Sequence, residues 1–145
     1  MKVYCEHSAI SPALRALQRD GKITLVHFPY DPDSRSAAHR EVATPSAAQI
    51  RDLNLPFKDA PGTFDDYTGS DKLSQIRGLL GPEHRRDALH VDSAHKTGCR
   101  AFVTPDSDIL EHRMVLEVLL GIRFFHPNAD EAALVAFLDP KDGAT

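Results

Sequence analysis

At 145 residues, with 41% apolar and 26% charged side chains, the chain has the length of one ordinary domain and enough apolar content for a packed core, which excludes global disorder. No apolar run approaches the ~20 residues that cross a bilayer, and Met1-Lys2-Val3-Tyr4-Cys5 lacks the apolar stretch of a signal peptide. A cytoplasmic protein with no membrane partner is therefore expected. Lys and Arg number 17 against 21 Asp and Glu, a formal charge of -4 with His neutral, which excludes a uniformly basic surface for coating nucleic acid.

Val3 to Cys5 reads as a strand, and Ser11-Pro12 as a helix start, with the cap followed by proline at the first helical position. Ala13, Leu14 and Leu17 recur at helical spacing before Asp20-Gly21 stops the run, and Ile23 to Phe28 reads as a second strand. This strand–helix–strand order predicts a parallel sheet. In the middle, a short helix is expected from Ser46 to Leu53, a long loop or flap over 55–69, and a helix from Asp71 to Leu80. Gly81-Pro82 opens a helix that Gly98 ends, with Ala88, Leu89, Val91 and Ala94 on its apolar side. Cys99 to Val103 follows as a strand, a helix runs from Asp106 to Leu120, Ile122 to Phe125 is a strand, and Asp130 to Leu138 is the last helix. Leu110, Met114, Val118 and Leu119 are expected in the core with Phe124 and Phe125. The class is α/β, a three-layer α/β/α domain over residues 1–138 around a mainly parallel sheet, with 139–145 as a polar tail.

In an open parallel sheet, chemistry gathers beyond the carboxyl ends of the strands. Glu6 follows the first strand, Asp106 and Asp108 follow the strand ending at Val103, and Asp87 lies one turn into the helix leading to that strand. Carboxylates gathered there repel one another unless a cation neutralises them, and an all-oxygen site suits Mg²⁺ or Mn²⁺. The structural alternative is that Asp106 or Asp108 caps the next helix, since Asp108-Ile109-Leu110-Glu111 has capping-box spacing, and that Asp87 serves its helix dipole. Cys5 and Cys99 make neither a disulfide framework nor a C-x-x-C motif, and the histidines of the Asp87 helix lack the spacing of a zinc pair. Phosphate-loop, dinucleotide and serine-hydrolase motifs are absent.

Asp87-Ala88-Leu89-His90-Val91-Asp92-Ser93-Ala94, then Gly98, then Ala101-Phe102-Val103-Thr104-Pro105-Asp106-Ser107-Asp108, resembles the C-terminal half of PIN domains. Met1 to Ser8 occupies the place of that family's first strand, and Gly121-Ile122 with Pro127 that of its last. The resemblance covers residues 1–28 and 81–127 and is specific mainly in the second block. It implies a metal-dependent endoribonuclease, a class that includes VapC-type toxins of bacterial toxin–antitoxin pairs. Carried over by position, Glu6, Asp87, Asp106 and Asp108 would be the catalytic and metal-holding acids, with Mg²⁺ or Mn²⁺ as cofactor. Ser8 would be the polar residue beside the first acid. His7, Arg85 and Arg86 are the candidates for contact with substrate phosphate, against the alternative of a solvated helix face.

Three positions depart from the family pattern. Glu6 stands where Asp ends the first strand, and Pro105 where Asn is common. Phe28-Pro29-Tyr30-Asp31-Pro32-Asp33 carries no matching Glu after the second strand, leaving Asp31, Asp33 and Glu41 as substitutes. Two functions follow: an RNA-cleaving enzyme, or a degenerate PIN-like scaffold that binds nucleic acid or protein. Expected partners are an RNA substrate, with an antitoxin protein and a second copy of the chain as further candidates. Setting the four proposed ligands aside leaves 17 acids against 17 bases, so the net acidity is no larger than the site itself.

Overall fold

The computed structural model describes residues 1–28, 36–44, 46 and 69–140. The expected helix over 46–53, the loop over 55–68, the candidate acids Asp31 and Asp33, and residues 141–145 lie outside these, apart from Ser46.

Five strands form one sheet in the order β3-β2-β1-β4-β5: β1 (Lys2–Cys5), β2 (Thr24–His27), β3 (Glu41–Val42), β4 (Ala101–Val103) and β5 (Arg123–Phe125). Every pairing is parallel. Register sets Val26, Tyr4, Phe102 and Phe124 side by side across the sheet. Alternation of side chains along each strand then sends this row to one face. It packs there with Ile76 and Leu80 of α2 (Leu73–Leu80), Ala88, Leu89, Val91 and Ala94 of α3 (Arg85–Thr97), and residues of α4 (Ser107–Leu110) and α5 (Arg113–Leu120). The opposite face carries Val3, Cys5, Leu25, Ala101, Val103 and Phe125 against α1 (Pro12–Arg19) and α6 (Glu131–Leu138). The three layers expected from the sequence are present. Tyr4 stacks on Phe102 with ring centroids 4.4 Å apart, and full burial of such a side chain contributes about 1.5–3 kcal/mol.

Local signals explain the element ends. Ser11 caps α1 by accepting from the Leu14 N–H at 3.2 Å. Gly98 ends α3 at φ 81°, with its own N–H donating to His95 and that of Cys99 to Ala94, a left-handed turn that glycine adopts without a Cβ penalty.

Two expectations need correction, and one strand is added. The helix expected from Asp106 to Leu120 is two, α4 and α5, broken at Glu111-His112. The buried residues Ile109 and Leu116 are seven apart, a spacing that a continuous helix also satisfies, so the break leaves no mark in the pattern. Met114 and Val118, expected in the core, are 79% and 89% exposed, because each lies two residues, about 200° around the helix, from the buried Leu116. The edge strand β3 was not anticipated. It is held by Arg40 N–H to Leu25 O at 3.0 Å and Ala43 N–H to His27 O at 2.8 Å. Just past α6, Asp139 pairs with Lys22 at 2.7 Å.

The chain starts in the middle strand, builds outward through β2 and β3, then returns to the other side of β1 with β4 and β5. That reversal opens a crevice beyond the carboxyl ends of β1 and β4, where open sheets place ligands. Among the described residues, no helix is long and apolar enough to cross a membrane.

Candidate functional site

Glu6 and Thr104 are the residues that leave β1 and β4 at this crevice. The Glu6 N–H extends the ladder to Val103 O at 3.3 Å, which aims its side chain at the β4 exit. The buried Thr104 hydroxyl accepts from the Asp106 N–H at 3.0 Å and stands near enough to the Glu6 carboxylate to lower it. One threonine therefore sits between both strand exits. Asp106 caps α4, accepting from the Asp108 N–H at 2.9 Å. The cap is thus Asp106, and Asp108 lies in the first turn.

Asp87 comes from the first turn of α3. His84, just before it, places Nδ1 3.4 Å from Asp87 Oδ2 and 3.8 Å from Asp108 Oδ2. Burial first, then the charges of Asp106 and Asp87, push the Glu6 carboxyl above its ordinary value, against a lowering by Thr104. Asp87 is raised by burial, then by Asp106 and to a lesser extent Asp108, while His84 opposes the rise. Glu6, Asp87 and Asp106 thus lie within electrostatic reach of one another, and Asp108 within reach of Asp87. Crowding of like charge in partial burial disfavours full ionisation, and a hard cation would relieve it.

On the other side of Glu6, a cavity of about 340 Å³ lies above the exits of β1 and β2, lined in part by Glu6, His7, Ser8, His27, Phe28 and His90. His7 and Ser8 are exposed in a short 3-10 turn, His7–Ala9. His90 stacks on Phe28 with centroids 3.5 Å apart, and its Nδ1 is hydrogen-bonded to the Tyr4 hydroxyl. Burial, Arg86 and His27 push His90 down to about 3. The ring is therefore neutral, and Tyr4 donates to it. The exposed Arg86 sits 5.7 Å over the Phe28 ring at the cavity edge, and Arg85 begins α3 beside it. Cys5 and Cys99 are buried thiols pushed up to about 12, which rules both out as nucleophiles at neutral pH.

Comparison with protein-family models, curated proteins and solved structures finds no match for this chain. The site is therefore read from its own chemistry. Its donors are carboxylate oxygens, the set that Mg²⁺ and Mn²⁺ prefer. Among the described residues, no three His, Cys, Asp or Glu side chains stand ready as a metal cage.

Sequence reasoning missed Thr104 as the brace of the two strand exits, His84 as the neighbour of two acids, and the His90–Phe28–Tyr4 cluster. Threonine two residues before a helix-capping Asp was visible in the sequence. That its hydroxyl faces Glu6 depends on strand order, which the sequence does not display.

Proposed function

We propose that this chain is a metal-dependent endoribonuclease of the PIN kind, cleaving RNA phosphodiesters in the cytoplasm. The observation that carries the reading is the gathering of Glu6, Asp87, Asp106 and Asp108 at the switch point of the sheet, with Glu6 and Asp87 each raised by burial and by neighbouring acids. The donor chemistry fits Mg²⁺ or Mn²⁺, and these four carboxylates would hold the ion. When bound, the ion would supply a water acidic enough to attack at neutral pH and charge to offset the developing oxyanion.

The chain's own residues have separable tasks. Thr104 holds the Asp106 backbone and favours the charged form of the nearby Glu6 carboxyl. His84 places its Nδ1 against the Asp87 and Asp108 carboxylates. His7 and Ser8 line the cavity beside Glu6, and Arg86 stands at its edge, within reach of a bound strand. A toxin of a toxin–antitoxin pair is one setting for such an enzyme, with an antitoxin or a second copy as partner.

A second reading, the degenerate scaffold that binds nucleic acid or protein, is favoured by two observations. No three-ligand cage is preformed among the described residues, and Asp106 is engaged as a cap. Titration calorimetry with Mn²⁺, run beside cleavage of an end-labelled RNA, separates the two. The enzyme reading requires Mn²⁺ binding and Mn²⁺-dependent cleavage in the parent, and loss of both in folded Asp87→Asn. Absence of Mn²⁺ binding in the parent, or equal cleavage by parent and variant, overturns it in favour of the scaffold.

A further inference from the structure

A second charged feature lies on the α1 flank of the sheet. A groove of about 600 Å³ runs between α1 and the segment leading into β3, lined by Arg15, Gln18, Arg19, Ala37, Ala38 and Arg40. Arg15 and Arg19 are one helical turn apart on α1, and Arg40 faces them across the groove; all three are exposed. No carboxylate is among the described lining residues. None of the three guanidinium groups forms an ion pair among the described residues, and Arg40 makes only a 3.3 Å hydrogen bond to Ala37 O. In a chain with four more acids than bases, three cations gathered with no acid among the described lining residues run against the usual interspersing of charge on a surface.

The walls of this groove are fixed. The Gln18 amide donates to Ala38 O at 2.6 Å and accepts from the Leu25 N–H at 2.7 Å, tying α1, β2 and the 36–40 segment together. His39, buried beneath, accepts from the Ser36 N–H at 3.0 Å and donates to Cys5 O at 2.9 Å. The guanidinium groups thus stand on a preorganised frame, which lowers the ordering cost of binding.

We infer that the Arg15–Arg19–Arg40 groove binds the phosphodiester backbone of single-stranded RNA. Guanidinium forks match phosphate oxygens in geometry and charge. The described lining residues include no aromatic platform for a base, so the contact they offer is to backbone and independent of sequence. They also include no large apolar side chain, only Ala37 and Ala38, which disfavours a protein partner needing a buried anchor. The groove is tied to the strand that carries Glu6: His39, beneath it, bonds the carbonyl of Cys5, the residue before Glu6, and α1 starts six residues after Glu6. The choice of RNA as the polyanion rests on the ribonuclease reading; the concentration of positive charge does not.

The test is fluorescence anisotropy of a labelled single-stranded RNA against salt, with EDTA present so that neither cleavage nor metal contributes. The parent is compared with Arg15→Gln/Arg19→Gln/Arg40→Gln, with the charge-preserving triple Lys variant, and with a charge-matched control, Arg77→Gln/Arg100→Gln/Arg123→Gln. Losing three phosphate contacts should flatten the slope of log K against log salt by about 2, equivalent to on the order of a hundredfold weaker binding at 0.1 M salt. The Lys variant should retain most of the slope and the control all of it. An unchanged slope in the Gln triple, an equal loss in the control, or no RNA binding by the parent overturns the groove assignment. Each of those results leaves the metal titration and cleavage assay above to decide the acid cluster separately.

Discussion

Two aspartates five residues apart on α3 meet opposite treatment. Asp92 is fully buried, yet its carboxylate is met on every side: the Ser46 hydroxyl donates to Oδ2 at 2.5 Å, the Ser70 N–H to the same oxygen at 3.0 Å, and the Ser70 hydroxyl to Oδ1. It ties residue 46 to residue 70 through one helix. Asp87, with its side chain 27% exposed, is far less buried but faces other acids, with His84 as its close counter-group. Depth of burial therefore does not separate a structural carboxylate from a functional one. The difference is whether the charge is already satisfied by the protein or left for something else to satisfy.

The comparison is broken most directly at Asp92. Asp92→Ala strands one buried donor, on Ser46, and two part-buried ones, on Ser70, each costing about 1–3 kcal/mol when fully buried and unmet. A total loss of about 3 kcal/mol is expected, read as a lower urea midpoint with unchanged slope. A loss under about 1 kcal/mol would show that the clamp does not hold the two serines. Next in size is the cation. Mn²⁺ at a hundredfold excess over its Kd should add about 2.7 kcal/mol of stability. That increment should persist in Asp92→Ala and vanish in Asp87→Asn; dependence on Asp92 instead would reverse the roles assigned to the two residues. A third, smaller effect belongs to the cavity. Tyr4→Phe removes the donor to the neutral His90 Nδ1 and should cost about 1 kcal/mol, with cation binding unchanged.

Elements with caps or breakers are legible in the sequence: α1 from Ser11-Pro12, the end of α3 from Gly98, and the four core strands from their apolar runs, whereas Gly81-Pro82 opens a 3-10 turn, Pro82–His84, and α3 itself begins at Arg85. The two-residue β3 is too short for alternation to show, and the α4–α5 break hides behind a heptad spacing shared by Ile109 and Leu116. At the site, the acids were legible because strand exits can be read from strands. Their supports were not, because Thr104, His84 and Tyr4 act across β1, β4 and α3, and those contacts follow from topology. Asp92 is the sharpest case. In the sequence it is one more polar residue on an amphipathic helix, and its partners lie 46 and 22 positions away.

The smallest effect tests the repulsion itself. Glu6 and Asp87 are raised above their ordinary values, so the folded state binds their protons more tightly than the unfolded chain does. Without a cation, the stability they contribute is fully present below the unfolded carboxylate range of about 4 and is lost as pH rises through the raised folded values. Asp87→Asn removes one of the opposed charges. The variant should therefore be more stable than the parent at pH 7 in EDTA, by about half a kcal/mol given how exposed Asp87 is, and the gap should close toward pH 4. Taking the difference between the two proteins cancels the contribution of His90, which is depressed in both. Adding Mn²⁺ should invert the order at pH 7, because the ion stabilises the ionised parent and finds one ligand fewer in the variant. A variant less stable than the parent at pH 7 without cation would mean that His84 and Thr104 already satisfy the cluster. Asp87 would then belong with Asp92, as a structural carboxylate.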